Sequence, residues 1–259
     1  MSSDLLESML VWAIVGALGQ LVDGALGMAY GVSCTAVLVS IGIGPALASA
    51  SVHTAKVFTG LVSGGSHLKL GNVEHDIALR LIAPGVIGGV VGAYVCTSVP
   101  GRPLTAIVGC ILLAMGLIVL HRFVFKHSVP STTKRLSSRM LLPLGCVAGF
   151  TDALGGGGWG PVTTTTLVAN KIVPNKAVGS VNFAEFFVTT SEAITFLLLI
   201  GWGNFNWFIV LGLIAGGIVC APIAAWLCKR LPRRALGVLV GAAVVVLSIR
   251  MILGAVGVD

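Results

Sequence analysis

The sequence predicts an all-α polytopic membrane protein made of two inverted-topology repeats. Each repeat is expected to begin with a glycine-interrupted helical hairpin, broken or re-entrant, and to continue with three transmembrane helices. Three observations predict this fold class: an apolar composition, an internal repeat at half the chain length, and basic residues that gather in alternate loops. We expect the two repeats to form one transmembrane domain.

The composition is that of a chain whose main solvent is lipid. Of the 259 residues, 56% are hydrophobic and 10% are charged, and the mean hydropathy is +1.02. Soluble domains carry about 25% charged residues. A soluble enzyme, a disordered chain and a nucleic-acid binder are therefore excluded, despite the net charge of +7. At about 20 residues per span, the length allows roughly eight to ten membrane segments.

A gapless repeat relates the two halves of the chain. When the sequence is shifted by 129 positions, residues 16–58 align with residues 145–187, and 14 of the 43 pairs are identical. We therefore predict a first repeat over 1–125, a cytoplasmic connector over 126–138 and a second repeat over 139–259. The identical pairs are Gly16/Gly145, Asp23/Asp152, Gly27/Gly156, Gly31/Gly160, Thr35/Thr164, Leu38/Leu167, Val39/Val168, Ile43/Ile172, Pro45/Pro174, Ala48/Ala177, Ser51/Ser180, Val52/Val181, Ala55/Ala184 and Phe58/Phe187.

Each repeat has the same order of segments. An apolar pair interrupted by glycines comes first, and three uninterrupted apolar segments follow. The interrupted pair either crosses the membrane fully or re-enters it, and the second pair, at about 32 residues, is short for two spans. The predicted segments are 5–41, 46–68, 77–97 and 103–124 in the first repeat, and 139–170, 175–200, 206–228 and 235–256 in the second.

Charged residues in the loops predict the orientation. If each interrupted pair enters and leaves on one side, the loops near 69–80, 121–139, 171–176 and 229–234 share a face. That face holds 13 basic residues against two on the other, so it is predicted to be cytoplasmic, with both termini outside. An odd number of crossings then inverts the repeats, as in many secondary transporters. The 13 are Lys69, Arg80, Arg122, Lys126, Lys134, Arg135, Arg139, Lys171, Lys176, Lys229, Arg230, Arg233 and Arg234, and the two are Arg102 and Arg250.

Glycine runs interrupt the first pair of each repeat. Residues 16–31 read GALGQLVDGALGMAYG, and residues 145–160 read GCVAGFTDALGGGGWG. A run such as Gly155 to Gly158 destabilises a helix interior by about 1 kcal/mol per residue, which predicts a break. Irregular backbone in a membrane needs cover from protein or a cavity, and the N–H groups that start the next half-helix favour an anion. The alternative is that the glycines only let helices pack closely.

Ionisable residues inside apolar segments point to a substrate site, because such residues are costly in lipid. The repeat maps His53 onto Asn182 and Lys56 onto Glu185, and the i, i+3 spacing puts each pair on one helix face. Lys56 would neutralise an anionic substrate, and Glu185 would hold Lys56 in the empty site or carry a proton. The alternative is a structural ion pair between the halves. The predicted substrate-binding residues are Tyr30, Ser51, His53, Lys56, Trp159, Ser180, Asn182 and Glu185.

Three further acids are assigned coupling or structural roles. Asp23 and Asp152 lie in the hairpin turns, where capping of backbone N–H groups is favoured over a proton relay. Glu192 follows Glu185 by seven residues and is expected on the same face, closer to the external end.

No catalytic, metal or cofactor motif occurs in the sequence. There is no Walker motif, GxSxG or HExxH, and the nearest metal-like set, His53 with Glu185, lacks a third ligand. We therefore expect no enzymatic activity, no metal and no cofactor. His67 and His75 are expected to be solvated, and the run Thr163 to Thr166 to bond helix to helix or to line a pathway.

At the two glycine motifs the sequence resembles the TauE/SafE family of sulfite exporters, also called the TSUP family. The resemblance covers essentially the whole chain and rests on the blocks GQLVDGALGMAYG, GFTDALGGGGWGP, SASVHTAKVF and GSVNFAEFF. It implies an integral permease of the bacterial-type plasma (inner) membrane that moves small sulfur oxyanions and has no enzymatic activity.

Together these expectations predict an alternating-access exporter of sulfite or a related small organosulfur anion. A membrane potential that is negative inside favours export of one negative charge by about 2.3 kcal/mol per 100 mV, with or without a proton carried by Glu185 or His53. The alternatives are a permease of the same fold for another small anion, such as a carboxylate or thiosulfate, or for a metal ion. A non-transporting membrane subunit or an intramembrane enzyme is a third class. The expected partners are the anion and the lipid bilayer, with a homo-oligomer left open and no nucleic acid.

Overall fold

The described part of the chain is helical. A computed structural model describes residues 3–99, 101–125, 136–228, 230 and 233–257, and no strand occurs among them. Most of the predicted connector, residues 126–135, lies outside the described residues. The α-helices are α1 Ser3–Leu26, α2 Tyr30–Ser40, α3 Pro45–Lys69, α4 His75–Ser98, α5 Gly101–Phe125, α6 Ser138–Gly155, α7 Trp159–Ala169, α8 Pro174–Ile200, α9 Trp207–Leu227 and α10 Arg233–Val256, with a short 3-10 turn at Trp202–Asn204.

The order of elements repeats along the chain. Helices α2 and α3 begin at Tyr30 and Pro45, and α7 and α8 begin 129 residues later, at Trp159 and Pro174. Both α3 and α8 start with proline, which fits the first helical position because its missing N–H would be unpaired there anyway. The helix bounds follow the predicted segments to within a few residues.

The glycine-interrupted segments form two helical hairpins, α1 with α2 and α6 with α7. Each second arm has 11 residues. At 1.5 Å per residue this is about 16 Å, roughly half the thickness of a hydrocarbon core. In the first hairpin Gly19 of α1 faces Tyr30 and Cys34 of α2, so the second arm folds back along the first. The second arms are therefore too short for a full crossing.

Among the described residues, five helices are long and apolar enough to cross a membrane. Helix α3 has 25 residues and the length of a span, but it carries the buried polar side chains of His53 and Lys56. The five candidate spans are Met9–Leu26, His75–Ser98, Pro103–Phe125, Pro174–Ile200 and Trp207–Leu227.

Small residues bring the helices into close pairs. Helix α1 packs on α9, α4 on α6, α5 on α10 and α3 on α8. In the α4/α6 pair, Gly149 lies directly against the carbonyl oxygen of Gly85, and in the α1/α9 pair Gly216 lies against that of Ala13. Such contacts leave no room for a side chain, as expected for membrane helices that associate through small residues. Since α1 corresponds to α6 and α9 to α4, these two pairs repeat one packing arrangement.

The two hairpins meet each other at their breaks. Thr35 Oγ1 of α2 donates to the carbonyl oxygen of Gly156 at 3.3 Å, and Thr164 Oγ1 of α7 donates to that of Gly27 at 2.6 Å. A shift of 129 residues converts one hydrogen bond into the other. Carbonyl groups at the two breaks are thus satisfied by the opposite hairpin, as a membrane interior requires.

We expect Gly156→Ala to destabilise the protein more than Gly42→Ala. Both glycines have positive φ, 70° and 97° respectively, so a Cβ costs about 1–2 kcal/mol of backbone strain at either position. At Gly156 the Cβ would also clash with Thr35, whereas nothing lies within 4 Å of it at Gly42. Overpacking adds about 1–3 kcal/mol. Thermal unfolding in detergent micelles measures the difference, and equal midpoints for the two variants would contradict the contact between the hairpins.

Candidate functional site

Five ionisable side chains meet in the interior of the helix bundle. His53 and Lys56 come from α3, Asp152 from α6, and Glu185 and Glu192 from α8. Each is at most 5% exposed. Helix α3 packs on α8, and the end of α6 brings the hairpin break against α3. We call these five residues the charged cluster.

Lys56 is the central cation of the charged cluster. Its Nζ lies 2.7 Å from Glu185 Oε1 and 3.3 Å from Asp152 Oδ2. Burying a single charge costs several kcal/mol, and the two carboxylates offset that cost here. The repeat maps Lys56 onto Glu185 in the sequence, and the structure places the two side chains in direct contact.

His53 bridges two carboxylates. Its Nε2 lies 3.0 Å from Glu192 Oε2 and 3.3 Å from Asp152 Oδ2. Its Nδ1 lies 2.7 Å from the carbonyl oxygen of Ser49, an atom that can only accept. Nδ1 therefore carries a hydrogen and donates it, and Nε2 is the ring atom that faces both carboxylates.

Asp152 and Asp23 cap the second arms of the hairpins. Asp152 Oδ1 accepts the backbone N–H of Trp159 at 3.0 Å, and Asp23 Oδ1 accepts that of Tyr30 at 3.3 Å. Each acid lies near the end of the preceding helix, seven residues before the N–H that it accepts. The expected capping contacts are present, and the first N–H of each second arm is occupied by one of the protein's own carboxylates.

Acids outnumber bases in the charged cluster. Three carboxylates face one lysine and one histidine, and Asp23 adds a fourth acid that interacts electrostatically with Lys56. Even with the histidine protonated, the ionised acids leave an excess of negative charge. An anion can approach Lys56 only if carboxylates take up protons, move away or bind a further cation.

Tyr30 and Trp159 are buried beside the hairpin breaks. The Tyr30 hydroxyl donates to the carbonyl oxygen of Leu213 in α9 at 3.4 Å, and Trp159 Nε1 donates to that of Val181 in α8 at 3.1 Å. The polar atom of each ring thus fastens its hairpin to a neighbouring helix.

The predicted site residues Ser51 and Ser180 bond to backbone groups. Ser51 Oγ donates to the carbonyl oxygen of Leu47 at 2.8 Å within α3. Ser180 Oγ accepts the backbone N–H of Glu74 at 2.8 Å, which ties α8 to the start of α4. Neither hydroxyl is directed at the charged cluster in these contacts.

Two polar pairs occupy equivalent positions in the two repeats. His53 Nε2 contacts Glu192 Oε2 at 3.0 Å, and Ser63 Oγ donates to Asn182 Oδ1 at 2.8 Å. A shift of 129 residues converts His53 into Asn182 and Ser63 into Glu192. The contact between α3 and α8 therefore occurs at two equivalent positions. Ionisable side chains make it at one of them, and neutral side chains, including that of Asn182, make it at the other.

Sequence reasoning missed two residues that shape the charged cluster. Ser49 Oγ donates to the carbonyl oxygen of Ala153 at 2.6 Å and lies 3.3 Å from His53 Nδ1. Its i, i+4 spacing from His53 could have identified it. A Cβ on Gly89 of α4 would lie 2.5 Å from Glu192 Oε1, so this glycine leaves room for the carboxylate. No local pattern signals Gly89, because the contact joins distant segments.

The expectation that His67 is solvated is wrong. The His67 ring is buried, and its Nε2 lies 2.9 Å from the carbonyl oxygen of Gly24 in α1. The end of α3 is covered by other helices, which its position near a loop did not reveal. His75 is exposed, as expected. Within the threonine run, Thr164 bonds to the other hairpin, whereas Thr166 donates within α7 at 2.7 Å.

Three donors of the charged cluster lie close enough to share a metal ion. One ligand atom each from His53, Asp152 and Glu192 lies within 4.8 Å of the other two. The sequence offered only His53 with Glu185 as a metal-like set. In the structure Glu185 is not among the three donors: Glu192 of α8 takes that place, and Asp152 is supplied by α6, which the hairpin fold brings to α3 and α8.

We expect Lys56→Met to lower stability by about 3–5 kcal/mol, because it leaves Asp152 and Glu185 buried without their cation. The double variant Lys56→Met/Glu185→Gln should recover part of that loss, since one of the stranded charges is also removed. Unfolding measurements on the wild type, both single variants and the double variant give the coupling energy. Lys69→Met, at an exposed position of the same helix, is the control. Additive losses would contradict the pairing of Lys56 with Glu185.

Comparisons with known proteins show which family the chain resembles. A family model described as "Sulfite exporter TauE/SafE" matches residues 12–251. A Bacillus subtilis (strain 168) protein named "Probable membrane transporter protein YtnM" is 44% identical over 252 residues, which cover 96% of this chain and 84% of that protein. The resemblance found in the glycine motifs is confirmed, and the protein is a multi-pass membrane protein of transporter type. The chain belongs to the TauE/SafE sulfite exporter family.

Proposed function

We propose that the protein exports sulfite or a related small organosulfur anion across a bacterial plasma membrane by alternating access. The observation that carries the proposal is Lys56, a cation with 4% exposure that is held by Asp152 and Glu185 in the interior of a transporter fold. Charged groups at such depth are expensive and mark ion pathways. A sulfite-sized anion needs one cation and a few hydrogen-bond donors.

The anion would take the place of Glu185 beside Lys56. In the present arrangement Glu185 Oε1 occupies the position that an oxyanion needs, 2.7 Å from Nζ. Release of Glu185, with or without a proton, would open that position. A protonated His53 would then lower the remaining excess of negative charge around the anion.

The proposed mechanism uses the two repeats as inverted halves. The paired contacts of Thr35 with Gly156 and of Thr164 with Gly27 support a two-fold relation between the hairpins. The basic loops support an orientation with both termini on the periplasmic side. Rocking of one half against the other would break these hydrogen bonds in turn and expose the site to alternate sides.

The membrane potential supplies a driving force for export. With the cell interior negative, moving one negative charge outward is favoured by about 2.3 kcal/mol per 100 mV. A proton carried inward by Glu185 or His53 would add the pH gradient to this force.

Flux in proteoliposomes tests the proposal. Purified protein should release radiolabelled sulfite faster than protein-free vesicles, and a potassium diffusion potential that is negative inside should accelerate that release. A pH-sensitive dye inside the vesicles shows whether protons move with the anion. Rates equal to those of empty vesicles for sulfite, sulfoacetate and thiosulfate would refute the proposal.

Replacement of Lys56 tests the binding position. Lys56→Gln should reduce sulfite flux about tenfold or more, because a hydrogen bond to a charged group is worth about 1.5–3 kcal/mol. Lys69→Gln, a change at an exposed lysine of α3, should leave the flux unchanged. Size-exclusion chromatography in detergent checks that both variants are folded. Unchanged flux in a folded Lys56→Gln variant would move the substrate site elsewhere.

A further inference from the structure

The His53 ring faces two carboxylates with its Nε2 atom. Its Nδ1 donates to the carbonyl oxygen of Ser49, so in the neutral ring Nε2 is an acceptor. Nε2 nevertheless lies 3.0 Å from Glu192 Oε2 and 3.3 Å from Asp152 Oδ2, which are acceptors too. In the neutral ring these three acceptor atoms repel one another, and either a proton on Nε2 or a metal cation between the three atoms removes the repulsion.

The Glu192 carboxylate is incompletely satisfied. It is fully buried, and its Oε1 has no hydrogen-bond donor among the described residues. A buried carboxylate oxygen without a partner is destabilising, because it has lost its hydration and gained no hydrogen bond in exchange. Gly89 of α4 makes room for this oxygen, since any Cβ there would lie 2.5 Å from it. The fold therefore holds Glu192 Oε1, a hydrogen-bond acceptor, at a position where no donor among the described residues reaches it.

The charges near this position suit a divalent cation. Lys56 contacts Glu185 at 2.7 Å and Asp152 at 3.3 Å, so one positive charge is shared by two carboxylates. With a neutral His53, two negative charges among Asp152, Glu185 and Glu192 remain to be balanced. One divalent ion would neutralise both. By neutralising two carboxylates, the ion would also lower the negative charge around Lys56, so that an anion can approach it.

We propose that His53 Nε2, Asp152 Oδ2 and the Glu192 carboxylate form a binding site for one divalent transition-metal ion, with Zn²⁺ as the preferred ion. Imidazole and carboxylate ligands suit Zn²⁺, and tetrahedral bonds of about 2.0–2.2 Å hold ligand atoms about 3.3 Å apart. The separations of His53 Nε2 from the two carboxylate oxygens, 3.0 and 3.3 Å, are close to that spacing, and all three ligand atoms lie within 4.8 Å of one another.

The surroundings of the three donors are those of a metal site. A metal-bound histidine almost always donates its other N–H to a carbonyl or carboxylate, and here Nδ1 donates to Ser49. The other oxygen of Asp152 accepts the Trp159 N–H and so fixes the carboxylate. Three protein donors leave a fourth position, which an oxyanion beside Lys56 could fill.

Equilibrium binding to the full-length protein tests the site without any transport measurement. Protein without a polyhistidine tag is stripped with a chelator, dialysed against Zn²⁺ and analysed by atomic spectrometry. We expect about one zinc ion per chain and a rise of the unfolding midpoint with added Zn²⁺. Co²⁺ in the same position should give the intense visible absorption of a four-coordinate site.

Variants of two equivalent pairs locate the ion. Glu192→Gln keeps the shape of the side chain and should weaken Zn²⁺ binding by at least about tenfold, since even loss of an outer partner costs that much. Ser63→Ala, in the neutral pair related to His53 and Glu192 by the repeat, should bind as the wild type does. If the wild-type protein stays metal-free in excess Zn²⁺ and its unfolding midpoint does not shift, Nε2 carries a proton instead of a metal ion. That result would overturn the proposal. Equal affinity of wild type and Glu192→Gln would overturn it as well. Because the readout is binding, a lack of sulfite flux would leave the metal site standing.

Discussion

The ion pairs of Lys56 are the interaction on which the interior of this protein depends. An ammonium group in the middle of a membrane protein is tolerated only when carboxylates lie next to it and their remaining oxygens are satisfied. Those carboxylates come from α6 and α8, so the three helices must meet at one point. The position of α6 follows from its hairpin, and the position of α8 from its contact with α3. The charged cluster therefore both requires and stabilises the arrangement of the two repeats.

The hairpin breaks obey a second constraint, which is that backbone polar groups in a membrane need partners within the protein. Asp23 and Asp152 take the first N–H of each second arm, and the threonines of one hairpin take carbonyl groups of the other. Asp152 serves both constraints, because one oxygen caps α7 while the other contacts Lys56 and His53. A substitution that moves the second hairpin break therefore also moves the Asp152 carboxylate within the charged cluster.

The two repeats keep the same contacts but fill them with different chemistry. The contact between α3 and α8 is made by His53 and Glu192 at one position and by Ser63 and Asn182 at its equivalent. A duplicated scaffold thus carries a single ionisable site rather than two. Asp152, Glu185 and Glu192 gather around this site, and an anion can approach Lys56 only if these carboxylates take up protons, move away or bind a further cation.

Much of this protein follows from its sequence alone, because the period, polarity and spacing of residues are local properties. They predicted the helices, the two breaks and the pairing of Lys56 with Glu185, and the glycine motifs carried the resemblance to the family. Tertiary structure alone decided which acids join that pair, since Asp152 reaches Lys56 across 96 positions and Glu192 reaches His53 across 139. It also directed Ser51, Ser180 and Asn182 to other partners and buried His67. The physical reason is that hydrogen bonds and ion pairs act over about 3 Å, so they depend on how whole helices pack, which no local pattern records.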